Sequence, residues 1–217
     1  MYVIHMHTGE RKKREKEERR IAIIDAAERL FSWKGYDGVT MEEVSREAQL
    51  ATGTLYLYFE NKDTLYVSVA MRAVDIFGAM LEEAMNSKTK GLDKAYAGGL
   101  AFYEFAKKYP VYFRMIMDAE PRYDSGRVGG SIRDEFSLKK FRTWQITVDA
   151  IKTGITDSTI RPDADPEMTA MLLTETTKAM IMTPLAALAK KDGIPRTQDD
   201  IVYYTIDSLK RAIEHKG

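Results

Sequence analysis

The sequence predicts an all-α protein of about nine helices, opened by a three-helix unit with the outline of a helix-turn-helix. Three observations carry that prediction. Apolar residues recur at spacings of three and four along nearly the whole chain of 217 residues, the period of helices that bury one stripe. Several of these runs open on residues that cap free N–H groups, as in "TMEE", "DPE" and "TQDD". Near the amino terminus, two short helical segments are separated by about four residues, the spacing of two helices joined by a tight turn.

The elements follow in order. From Ile21, one stripe holds Ile24, Ala27 and Phe31, with Ile23, Ala26 and Leu30 beside it. Gly35 supplies the left-handed residue that ends this helix. In "TMEE", Thr40 and Glu43 have the spacing of a reciprocal capping box, so a second helix starts at about Met41 and turns Val44 and Ala48 inward. "TGTLYLYF", Thr52 to Phe59, alternates like a strand. On a helix, however, Leu55 and Phe59 share one face, and a lone strand would have no partner nearby. Thr52, Gly53 and Thr54 would then form a first turn whose N–H groups point outward.

A longer helix is expected from about Asp63 to Met85, another through Leu92, Tyr96, Leu100 and Tyr103, and a short one over "YPVYFRMIMDAE". Pro121 to Gly130 is rich in turn formers and reads as a loop. Phe141, Trp144, Val148, Ile151 and Ile155 mark the next helix. Asp165 can cap a further one with Pro166 in its first position, and the last runs from "TQDD" through Val202, Ile206, Leu209 and Ile213.

Composition narrows the chemistry. There is no cysteine, which excludes disulfides, thiolate metal sites and a cysteine nucleophile. The histidines are His5, His7 and His215, all near a chain end, which argues against an imidazole base held in a packed cleft. Carboxylates are scattered, with no pair singled out by spacing. Neither an enzyme nor a bound metal or cofactor is expected. No uncharged apolar run of about 18 residues is present, so no membrane span is expected. The start "MYVIHMHTGERKK" lacks a long apolar region, which suggests a cytoplasmic protein, and Met6 is a second plausible start.

Net charge is zero, so any argument for nucleic acid must be local. From Arg11 to Arg20, seven basic residues are mixed with three acidic ones. One reading is a solvated helix start with i,i+4 pairs, and the other is an arm that touches phosphates. Residues 1–66 hold eleven Lys and Arg against twelve Asp and Glu, so binding would depend on a localised face.

Residues from about Ile21 to Val69 resemble the DNA-binding domain of the tetracycline-repressor (TetR) family. "AAERLFSWKGYDGVTMEEVSREA" and "GTLYLYFENKDTLY" carry the likeness. It implies a helix-turn-helix DNA-binding domain over residues 1–66, with a flexible charged arm at 1–20, and a helical ligand-binding and dimerisation domain over 67–217. It also implies that Thr40 meets a phosphate, that Thr52, Gly53, Thr54 and Tyr56 lie in or beside the major groove, and that Tyr58 and Lys62 hold the backbone. These residue types suit the roles: hydroxyls and ammonium groups fix register on phosphates, and short side chains meet base edges. Two departures stand out, Gln49 and Ala51 where members commonly have Gly and Ser. Ala51 lacks the capping hydroxyl, and Thr52 is the candidate to replace it.

The resemblance further implies an apolar pocket in the second domain for a small-molecule effector, with Phe102, Tyr103, Phe113, Met117, Trp144, Met171 and Glu175 as candidates. Spacing alone reads most of these as core, and Glu175 as pocket anchor or interface element. Two subunits would pair through about 166–190 and 197–214 and read a palindromic operator in double-stranded DNA. A ligand would release it by altering the spacing of the recognition helices, as expected of an inducible repressor. The rivals are a helical small-molecule-binding protein or enzyme whose amino-terminal domain makes protein contacts, and a nucleic-acid binder without sequence preference.

Overall fold

The computed structural model describes residues 2–184, 187, 190–191, 193 and 196–216, with side chains from residue 9 onward. Among the described residues the regular structure is nine helices and one isolated bridge between Ile160 and Glu214. We number them α1 (Tyr2–Lys34), α2 (Met41–Glu47), α3 (Thr52–Tyr56), α4 (Lys62–Asn86), α5 (Gly91–Lys108), α6 (Pro110–Asp124), α7 (Gly130–Thr156), α8 (Pro166–Met182) and α9 (Gln198–Ile213). They fall into two compact units. The first takes Met1–Ala73 and Arg114–Phe136, the second Val74–Phe113 and Ser137–Gly217.

In the first unit the expected stripe of α1 is its core: Ile23, Ile24, Ala26, Ala27 and Phe31 are buried, with Val44 of α2, Leu55 of α3 and Phe59 after it. Removing such side chains from water supplies about 1.5–3 kcal/mol each, which is what holds so short a helix as α3 in place. Gly35 ends α1 at φ +71°, as its place in the sequence predicts. The segment read as an arm is helical and continuous with the rest of α1, and its exposed faces carry the pairs Arg11–Glu15 (3.4 Å) and Arg14–Glu18 (3.5 Å). "TGTLYLYF" is helical at Thr52–Tyr56, and the Phe59 N–H donates to the Leu55 carbonyl at 3.0 Å.

The region read as a loop, Pro121 to Gly130, is shorter than expected, because α6 continues through Pro121 to Asp124. Proline fits helical φ, but it loses one donor and crowds the carbonyl four residues earlier, so the extension must be held from outside the helix. The extension is held by Ala119, which is fully buried, and by Arg122, whose contacts are described below. The turn is left to Ser125–Gly129, with Gly126 at φ +75°.

In the second unit, α5, α8 and α9 pack around Tyr103, Val202 and Ile206, with Leu100 and Met180 against them. A second cluster joins Leu92, Ile151, Ile160 and Ile213. Asp165 caps α8 by accepting from the Met168 N–H at 2.8 Å, with Pro166 in the first position, and Thr197 and Asp200 form a capping box at α9. The helix expected to reach Lys190 stops at Met182: Thr183 is extended, at ψ 130°, and Pro184 follows. Residues 185–186 and 188–189 of that expected helix lie outside the described residues. Among the described residues only α4 is long and apolar enough to cross a membrane. It carries Arg72, which pairs with Asp25 and Glu28 of α1 at 2.6 and 2.5 Å, and much of its length is buried.

Candidate nucleic-acid interface

The site begins at Thr40. Its hydroxyl accepts from the Glu43 N–H (3.2 Å) while the Glu43 carboxylate accepts from the Thr40 N–H (3.0 Å), completing the capping box. Lys34 donates to the same carboxylate at 2.7 Å. That ammonium first, and the Thr40 N–H second, hold the Glu43 carboxyl below the usual carboxylate range. Because Thr40 only accepts within the box, its O–H proton is left to donate outward, as a phosphate contact requires.

Between α2 and α3 the chain makes a Schellman motif. The Leu50 N–H donates to the Ser45 carbonyl (2.8 Å) and the Gln49 N–H to the Arg46 carbonyl (3.1 Å), with Gln49 left-handed at φ +55°. The sequence therefore places a glutamine where a residue without Cβ is favoured. Ala51 is the N-cap of α3 and offers no side-chain bond. Thr52 does not take over the cap: its hydroxyl lies 2.9 Å from the Ser45 hydroxyl. The single Ser45 proton is given to the Glu42 carbonyl (2.9 Å), so Thr52 is the donor to Ser45. This bond ties α3 to α2, and it leaves Thr52 able to accept from a base but without a proton for a phosphate.

Of the other expected contacts, Gly53 and Tyr56 are exposed and Thr54 and Tyr58 half-buried, all in or beside α3. A Cβ built on Gly53 would meet nothing within 4 Å, so no packing within the chain demands glycine there. Lys62 is mostly engaged inward. Its ammonium donates to the carbonyls of Tyr36 and Val39, both at 3.0 Å, and lies 4.1 Å from the centre of the Tyr36 ring. One of its three protons remains for a phosphate.

Sequence reasoning missed the cluster that fixes Lys62 and the end of α1. Asp63, only 6% exposed, accepts from the Tyr36 hydroxyl at 2.7 Å and pairs with Arg122 (3.5 Å) and Arg127 (3.1 Å). The Arg122 guanidinium lies 3.6 Å from the Tyr36 ring centre and 5.0 Å from that of Tyr66, a cation over two electron-rich faces. Burial first, and the neighbouring Asp63 carboxylate second, push the Tyr36 hydroxyl upward. Burial likewise raises Tyr66, with Asp118 adding to it. Nothing in the spacing of Tyr36, Asp63 and Arg122 signals this meeting, since they are brought together from distant parts of the chain.

The candidates of the second domain do not assemble as one set. Phe102 and Phe113 meet, with ring centres 5.9 Å apart, and Phe77 joins Phe102 at 5.0 Å. Tyr103 turns instead to α9, where it donates to Asp199 at 2.5 Å. Trp144 is half-buried against Phe141, and Met117, also half-buried, belongs to the first compact unit. Met171 and Glu175 are exposed on α8, and Glu175 pairs with Lys178 at 2.5 Å.

Two helices joined by a Schellman turn, the first capped by Thr40 and the second exposing Gly53 and Tyr56, define a helix-turn-helix DNA-binding domain. Residues 23–69 match the family model for bacterial regulatory proteins of the tetR family. Over these residues the chain carries the DNA-binding domain of that family of transcriptional regulators. It is 25% identical over 165 residues to the uncharacterized HTH-type transcriptional regulator YhgD of Bacillus subtilis, covering 76% of this chain and 83% of that one. It is 26% identical over 113 residues to IcaR of Staphylococcus aureus, an HTH-type negative transcriptional regulator of a biofilm operon, covering 52% of this chain and 60% of that protein. Its fold is similar to that of FadR from Bacillus subtilis, solved in complex with stearoyl-CoA, with TM-score 0.62 at 18% identity over 88% of this chain and 95% of the other.

Proposed function

We propose that the protein is a dimeric repressor, released from a palindromic operator by a largely apolar small molecule. Residues 1–66 would read DNA and 67–217 would bind the effector and the second subunit. The observation that carries the dimeric reading is the outer face of α8. Met168, Met171, Leu172 and Met182 are exposed there by 61, 49, 53 and 56%, and a soluble chain seldom leaves such a stripe uncovered. A second copy covers it in a two-fold pair, which a short recognition helix also needs in order to read enough bases. In this reading Met171 and Glu175 serve the interface rather than a pocket.

Repression is supported by the likeness to IcaR, a negative regulator, and an effector whose apolar part is a fatty acyl chain, as in an acyl-CoA, by the fold shared with the FadR complex. The aromatic cluster of Phe77, Phe102 and Phe113 is the apolar wall such a chain would meet. The test is a mobility shift with the DNA upstream of the protein's own gene, repeated with acyl-CoAs of graded chain length. A specific shift weakened by one chain length is expected. No shift at any salt concentration would refute the operator reading, and a shift insensitive to every acyl-CoA would refute the effector class. Leu172→Glu should yield monomers by sedimentation and abolish the shift, and a dimeric Leu172→Glu would place the interface elsewhere.

A further inference from the structure

The geometry points to Leu57 as a base-reading residue that packs against a thymine C5-methyl group in the major groove. This rests on the DNA-binding reading of α3 and deepens it. Leu57 is 81% exposed, a high value for a large apolar side chain. Its position is not an accident of a frayed end, because its backbone is still helical (φ −71°, ψ −18°) and its N–H donates to the Thr54 carbonyl at 3.2 Å. At 100° per residue, Leu57 stands 200° from Leu55, which is fully buried. It therefore projects almost directly away from the core.

Gly53, one turn earlier on the same stripe, gives the second observation. Open space surrounds its missing side chain, so nothing in the chain accounts for a residue that weakens a helix as short as this. A partner that comes close to the backbone at Gly53 does account for it. With Gly53 letting α3 down onto a base pair, Leu57 is carried toward the next base step along the groove. In B-DNA the thymine methyl is the apolar group offered in the major groove, and apolar side chains pair with it. Tyr56 and Tyr58 flank Leu57 with hydroxyls suited to the phosphates on either side, so reading and holding are divided among consecutive residues.

The test uses the full-length protein and an operator selected from a random duplex library. Each conserved thymine is replaced in turn by uracil, which removes only the methyl. For the wild type, one uracil position per half-site should lower affinity about four-fold, the worth of one buried methyl. Leu57→Ala should lower affinity for the thymine operator by a similar factor and lose its response to uracil at that position alone, while Leu57→Met keeps both. Equal responses to uracil in the wild type and Leu57→Ala, or a wild type indifferent to uracil everywhere, would overturn the assignment to Leu57 while leaving DNA binding intact. A library from which the wild type selects no sequence would overturn both readings.

Discussion

Gln49→Gly should stabilise the helix-turn-helix. In the native turn Gln49 is at φ +55°, where its Cβ crowds the following carbonyl at a cost of about 1–2 kcal/mol. Glycine removes that cost, and its greater freedom in the unfolded chain returns about 0.5–1 kcal/mol. The side chain itself is exposed, so its loss removes little packing. A net gain of roughly 0.7 kcal/mol follows, which is about a three-fold change in an opening equilibrium. Global unfolding of a chain with two compact units is a poor readout, because the units need not melt together. Native-state hydrogen exchange reads the turn directly. The amides of Leu50, bonded to the Ser45 carbonyl across the turn, and of Phe59 should exchange about three times more slowly in Gln49→Gly. Gln49→Ala keeps the Cβ and should show no gain. Equal protection in the alanine and glycine variants, or faster exchange in the glycine variant, would show that the left-handed backbone is not under strain.

Asp63→Ala should cost about 1.5–3 kcal/mol, measured as loss of protection across the first unit, because it removes the carboxylate that the partly buried Arg122 and the Tyr36 hydroxyl share. Asp63→Ala combined with Arg122→Met should recover much of that loss, and failure to recover would mean that the charge pair is not the reason. The raised tyrosines make an alkaline prediction: Tyr36, Tyr66 and Tyr103 all ionise above their ordinary value near 10. Their stabilisation is complete below that value, because the unfolded chain ionises first as pH rises. It is then lost progressively above about 10, toward the higher folded values. Denaturation midpoints that stay level from neutral pH to beyond pH 10 would contradict the buried hydroxyls.

The helices and most of their ends were legible from residues a few positions apart. The capping boxes at Thr40 and Thr197, the Gly35 stop and the Asp165–Pro166 start each depend on side chains meeting backbone within one turn, so local chemistry decides them. The same holds for Leu55 and Phe59 as core, because periodicity assigns a face. The extent of α6 was not legible, since Pro121 signals a break locally and the helix is held by what Ala119 and Arg122 touch elsewhere.

By itself, then, the sequence determined most of the helical segments, where the recognition helix lies and which family pattern it carries. Tertiary structure decided which hydroxyl protons and ammonium groups are still available to DNA. Thr52 spends its proton on Ser45, Lys62 spends two of three on the carbonyls of Tyr36 and Val39, and Leu57 is left facing outward opposite Leu55. A hydrogen bond is set by distance in space and not along the chain, so these assignments wait on how α2 packs on α3 and how the start of α4 meets the α1–α2 connection.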